Sequence, residues 1–359
     1  MHQINAGLLK TKHHFEILDG LRGIAAIAIV VFHFMEMVYT DYSNNFIGHG
    51  FLAVDFFFCL SGFVIGYAYD DRIAKMGVWE FFKSRLIRLH PMIIAGSVVG
   101  ICVFIAFSVI HHEDWFGSGR IILAFLGSCF LIPLPIMPER GFALFGLNAL
   151  AWSLFLEYIA NIVYAFILYK IGKRFLLVLA ILAAAVLCFV GHHSGTLMGG
   201  WDAITFPDGF ARVSYSFLAG LLVYRFNWIV KTKLGFISLS ALLLAALLMP
   251  YVSWSWLAEP IVVIMYFPFL IALGAGATLT KRFKKWCTFL GNLSYPLYMT
   301  HMPFLWFFGY YYNQNKPDAT ELFWVISIGT LLLIGFAYVV MKVYDIPLRK
   351  YLTEKRNVA

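Results

Sequence analysis

Long apolar stretches fill most of the chain, and the polar residues gather in short clusters between them. Runs near 17–40, 51–70, 91–111, 146–170, 175–193, 209–229, 235–252, 258–280, 288–311 and 322–345 each approach the roughly 20 residues that a bilayer-spanning helix needs. The pattern predicts an all-α integral membrane protein with about ten transmembrane helices. One stretch stands apart. "IILAFLGSCFLIPLPIMP", residues 121–138, is short and holds three prolines, so it suits a re-entrant or surface-lying segment as well as a span.

Charge decides how that stretch is counted. If it does not cross and the chain starts inside, 27 basic residues distribute so that only Arg120, Arg140, Arg212 and Lys316 fall outside. An eleventh span would carry Lys170, Lys173 and Arg174 to the outer side and break the positive-inside bias. The expected topology therefore has both termini cytoplasmic, with a partly buried outer segment at 112–145 between helices 3 and 4, in a multi-pass protein of the cell membrane.

Composition agrees with that picture. Hydrophobic residues make up 61% of the chain and charged ones 13%, which excludes an ordinary soluble domain. The formal charge of +8 then reports orientation and is not a nucleic-acid footprint. The first apolar run is too long for a signal-peptide core and no small-residue cleavage pattern follows it, so it should remain as the first membrane helix. No linker, low-complexity tract or repeat interrupts residues 1–359, which read as a single membrane domain with no appended soluble domain. Cys59, Cys102, Cys129, Cys188 and Cys287 lie in or beside apolar runs without metal-ligand spacing and read as packing residues.

Ionisable residues inside such runs are costly and mark candidate chemistry. Arg22 opens helix 1, and His33 lies about 24 Å further along from its start at 1.5 Å per residue. Asp55 enters from the outer end of helix 2 and reaches a similar depth. A carboxylate on one imidazole nitrogen fixes the tautomer and raises the basicity of the other, so His33 and Asp55 are expected to pair, as a catalytic dyad or as an ion pair clamping two helices. In "FFKSRLIRLHP" Arg85 and Arg88 fall one turn apart on one helix face. With Arg22 they place three guanidinium forks at one cytoplasmic mouth, suited to polyphosphate oxygens. Glu157 falls near the middle of helix 4, with Trp152 and Ser153 about one turn above it, and His301 falls well inside helix 9, after Pro296. The pairs His111 with His112 and His192 with His193 lack a third ligand, so no metal is expected. Walker, dinucleotide-binding and H-E-x-x-H motifs do not occur.

Taken in order, "DGLRG" with His33, "VDFFFCLSGF" with Asp55, the pair Arg85 and Arg88, "WSLFLE" ending at Glu157 and "LSYPLYMTH" ending at His301 resemble acyltransferase family 3, integral membrane acyl-CoA-dependent O-acyltransferases. The resemblance covers nearly the whole chain. It implies transfer of an acyl group, usually acetyl, from cytosolic acyl-CoA (acetyl-CoA) to a hydroxyl of an extracytoplasmic or lipid-linked carbohydrate. Under it, His33 is the catalytic residue with Asp55 as its partner, Arg85 and Arg88 with Arg22 serve the CoA phosphates, and Glu157, Ser153 and His301 are further functional positions. His33 would act as general base or be acylated itself. His90, beside Pro91, departs from the family's usual aromatic and would adjust the CoA mouth. The competing reading is a proton-coupled organic-anion transporter, since a basic vestibule with midplane Glu and His suits that too.

Overall fold

A computed structural model describes residues 14–111 and 118–358. Lys10, Lys12 and His112 lie outside the described residues. The protein is all-helical, and among the described residues the only β-type pairing is three isolated bridges. Helix α1 (Glu16–Val38) is followed by α2 (Ala53–Tyr69), the single turn α3 (Ile73–Met76), α4 (Val78–His111) and α5 (Ser118–Phe130). An irregular stretch leads to α6 (Ala151–Phe166), α7 (Lys173–Ser194), α8 (Phe206–Arg225) and α9 (Phe236–Leu247). Then come α10 (Ser255–Ile261), which runs through a π turn into α11 (Phe267–Gly276), α12 (Lys281–Thr300) and α13 (Leu305–Asn315). The chain closes on α14 (Ala319–Val340), a π turn at Met341–Asp345, and α15 (Ile346–Val358).

Among the described residues, seven helical segments are long and apolar enough to cross a membrane: Glu16–Val38, Gly50–Tyr69, Val78–His111, Ala151–Lys170, Lys173–Ser194, Ser255–Gly276 and Ala319–Arg356. The other three expected runs fall on α8, α9 and α12, and each differs for a visible reason. Helix α8 carries Asp208, Arg212 and Arg225, α12 opens on Lys281, Arg282, Lys284 and Lys285, and α9 has only 12 residues. The run at 288–311 is also broken. Pro303 has no N–H to continue a helical ladder, so α12 ends at Thr300 and a tight turn at Met302–Phe304 precedes α13. His301, expected well inside a helix, instead caps the end of α12. Of the stretch 121–138, α5 takes the first part in a 13-residue helix, about 20 Å long. The remainder is irregular, with Leu131 and Met137 buried.

Two helix pairs form the centre, and both run parallel. Helix α1 lies along α12, with Asp19 against Gly291, Arg22 bonded to Ser294 and His33 beside His301. Helix α2 lies along α8, with Asp55 paired to Arg212 near one end and Asp70 to Arg225 near the other. The α2–α8 approach depends on glycine. A Cβ on Gly62 would overlap the Phe217 carbonyl, and one on Gly220 the Cys59 carbonyl. Small residues let membrane helices touch backbone to backbone, where lipid supplies no hydrophobic drive.

Candidate active site

Two cavities lie along α1, one near each end. The arginine cavity, about 270 Å³, takes Arg22 from α1, Arg85 and Arg88 from α4 and Arg349 from α15. Three of these cations face a carboxylate. Arg22 reaches Asp19 at 3.2 Å while bonding the Ser294 hydroxyl and the Gly291 carbonyl. Arg85 donates to Glu157 at 2.7 Å, and the Ser61 hydroxyl donates to the same oxygen at 2.9 Å. Arg349 meets Asp345 at 2.6 Å. Arg88 differs. It is exposed to the cavity it lines, and among the described residues it makes no hydrogen bond or ion pair. The spacing in "SRLIRLHP" thus brings both arginines to one cavity, as expected. His90 does not join the wall; its ring stands edge-on to Tyr158 at 6.4 Å.

The histidine cavity, about 350 Å³, is lined by His33, Glu36, Tyr42, Arg140 and Arg212 within walls that include Trp152, Trp201 and Trp306. His33 lies about 16 Å along the helix axis from Arg22. Its Nδ1 is 2.6 Å from Glu36 Oε1, while its buried Nε2 has no hydrogen-bond partner. A carboxylate can only accept when ionised, so the proton belongs on Nδ1 and the Nε2 lone pair is left open. His301 stands beside it, ring centres 5.4 Å apart. Its Nδ1 donates to the Leu297 carbonyl at 2.8 Å, leaving Nε2 likewise unengaged. On the loop after α1, burial and then the Glu36 charge push the Tyr42 hydroxyl above its ordinary range, so it stays protonated.

Asp55 is not the partner of His33. Its carboxylate is fully buried and taken by Arg212, with Nη2 at 2.6 Å and Nε at 3.2 Å from its oxygens. A buried carboxylate needs a compensating charge with good geometry, and the parallel α8 supplies a guanidinium fork where an imidazole would offer one donor. Asp55 therefore holds Arg212 at the cavity wall. Glu36 fills the role expected of Asp55. Its signal was present in the sequence, since residues three apart on a helix are neighbours.

The two cavities nearly meet. Val54 lines both, and of two successive α6 residues Trp152 lines the histidine cavity and Ser153 the arginine cavity. The Ser153 hydroxyl shares a 2.8 Å hydrogen bond with Tyr298. Glu157 is the counterion of Arg85, and His301 is the neighbour of His33, so both earn a place through a partner. Of the two adjacent histidine pairs, His111 packs on Tyr310 at 3.7 Å, His192 on Trp256 and His193 on Phe189. Among the described residues no three His, Cys, Asp or Glu side chains converge on a possible metal position.

Such a helical membrane domain sets cations suited to an anionic ligand near one end of α1 and a carboxylate-held imidazole suited to proton transfer near the other. The chain belongs to acyltransferase family 3: the family's acyltransferase domain matches residues 15–342. Among its relatives is Protein 2 in the picA locus of Rhizobium radiobacter, 32% identical over 160 residues, 42% of this chain and 81% of that protein. Another is the O-acetyltransferase OatA of Staphylococcus aureus, 24% identical over 366 aligned positions that cover 93% of this chain. The match spans 57% of the length of OatA. No solved structure matches the chain.

Proposed function

We propose that this protein transfers an acyl group, usually acetyl, from cytosolic acyl-CoA to a hydroxyl of a surface polysaccharide or glycolipid across the membrane. The observation that carries the reading is the placement of Arg22 and His33 on one helix, each in its own cavity, with Val54 in both walls. The O-acetyltransferase relative supports the reaction class. Arg22, Arg85 and Arg88 hold the donor phosphates, and the pantetheine arm carries the thioester past Ser153 and Tyr298 toward the partition.

The chemistry then needs one base. As the acceptor oxygen attacks the thioester carbonyl, His33 Nε2 takes its proton, and Glu36 stabilises the imidazolium through Nδ1. When the tetrahedral intermediate collapses, the C–S bond breaks and the departing thiolate recovers that proton from Nε2. Atoms and charge balance, and no metal is required.

Ten crossings with both termini cytoplasmic fit this reading. Helices α1 and α12 are then the first and ninth spans, and α2 and α8 the second and sixth. Spans of equal parity run parallel, as these pairs do. A crossing by α5 would make each pair antiparallel. On this topology α5 and the irregular stretch that follows it belong to the partly buried outer segment at 112–145.

The test is vectorial. Oriented membrane vesicles from cells expressing the chain are supplied with labelled acetyl-CoA on one face only, and label is followed into the glycan fraction together with release of free CoA. Labelling should require acetyl-CoA on the face bearing the termini. Labelling only from the opposite face would overturn the sidedness, and movement of an organic anion without CoA release would favour transport.

A further inference from the structure

The charge pattern leaves Arg349 among the inner-side cations, and its side chain lies in the wall of the arginine cavity with Arg22, Arg85 and Arg88. It sits on α15, beyond residue 342, where the family match ends. We propose that Arg349 is a fourth donor-binding residue, which holds a phosphate of acyl-CoA once that phosphate displaces it from Asp345. The proposal rests on the acyl-CoA reading above.

Three observations lead there. First, the Arg349–Asp345 pair is only half used: Nη2 donates to Oδ2 at 2.6 Å, while the buried Nε of Arg349 and the buried Oδ1 of Asp345 have no hydrogen-bond partner. A bidentate fork with one edge engaged retains donors for an incoming anion. Second, α15 and the turn before it are tied to the helix that carries Arg85 and Arg88. Arg356 Nη1 donates to the Ser84 hydroxyl at 2.6 Å, and the Tyr344 hydroxyl donates to the Pro91 carbonyl at 3.2 Å. These anchors flank the arginine pair and fix Arg349 opposite it. Third, the π turn at Met341–Asp345 interrupts the helix immediately before this point, and such turns recur at functional sites. The neighbouring Lys350 shows what an ordinary tail cation looks like: its side chain is 76% exposed and 3.9 Å from Glu354 on the surface.

The experiment measures CoA binding by titration calorimetry to the full chain in lipid nanodiscs, comparing wild type with Arg88→Ala, Arg349→Ala, Arg349→Lys and Lys350→Ala. Loss of one charge-assisted contact should weaken CoA roughly 10- to 100-fold in Arg349→Ala, with partial recovery in Arg349→Lys and no change in Lys350→Ala. Should Arg349→Ala fail to hold its fold by size-exclusion chromatography, Arg349→Gln, which keeps a hydrogen bond to Asp345, carries the same comparison. Weakening in Arg88→Ala with wild-type affinity in the Arg349 variant would overturn this assignment and leave the donor site standing. Absence of CoA binding by the wild type would overturn both.

Discussion

The two cavities are built on opposite electrostatic plans. In the arginine cavity cations and carboxylates meet one to one at a mouth that stays partly open: Arg22 with Asp19, Arg85 with Glu157, Arg349 with Asp345, and Arg88 left over. In the histidine cavity the charges are locked, because Asp55 and Arg212 are fully buried against each other and His33 is tied to Glu36 within its own helix. A site that binds a polyanion needs counterions that a ligand can displace. A site that moves a proton needs pairs that do not exchange, so that one nitrogen keeps its lone pair. On the proposed function, the same kind of contact, a carboxylate on a base, serves release in one place and orientation in the other.

The sharpest way to break this contrast is His33→Ala. Removing the general base should lower acetyl transfer about 10²- to 10⁴-fold while CoA binding and folding persist; retention of full transfer in proteoliposomes would end the mechanism. Asp55→Asn comes next and acts differently. It strands the buried Arg212 charge and should cost about 3–5 kcal/mol of stability, read as a lower melting temperature. The double variant Asp55→Leu with Arg212→Met should recover most of that, because an apolar pair needs no compensation. A smaller effect is expected from Arg88→Ala, about 1.5–3 kcal/mol of CoA affinity with transfer at saturating donor little changed. Unchanged affinity there would mean that the cavity's spare cation does not serve the donor. Gly62→Ala touches neither cavity's charges. Overpacking against Phe217 should cost about 1–3 kcal/mol, and an unaffected melting temperature would show that α2 and α8 can move apart.

How much of this could be read from sequence follows from the same contrast. The arginine cavity was legible because Arg85 and Arg88 lie one turn apart on a single helix, so spacing alone puts them together. Helix positions were legible wherever an apolar run was long and uncharged. They were least so at α8, whose two arginines are met by Asp55 of α2 and by Asp70 at its end, and at 288–311, where Pro303 outweighs apolar continuity. The partner of Asp55 was not legible, since Arg212 arrives from a helix 157 residues away. Yet a hint existed. Arg140 and Arg212 were two of only four basic residues left on the outer side by the charge pattern, and both prove to be buried in the wall of the histidine cavity. A cation that defies the orientation rule is a better marker of a site than one that obeys it. Glu36 is hard to read for the opposite reason: it meets His33 within one turn of the same helix, a spacing that most helices also show without any function.

The partition at Val54 has an electrical consequence. Where water enters from both faces, a transmembrane potential falls mostly across the thin wall between, so this short distance carries much of the field. On the proposed route the acyl group passes to the acceptor oxygen while the hydroxyl proton travels the other way to the departing thiolate, so donor and acceptor each keep the charge they began with. The exchange is electroneutral: each turnover moves no net charge, although a charge that crossed the whole field would gain or lose ~2.3 kcal/mol per 100 mV. Imposing a potassium diffusion potential on oriented vesicles should therefore leave the extent of acetylation at equilibrium unchanged, and a shift in that extent with voltage would show that a charge crosses the wall uncompensated. The free energy for modifying the surface outside then comes from the thioester and not from an energised membrane.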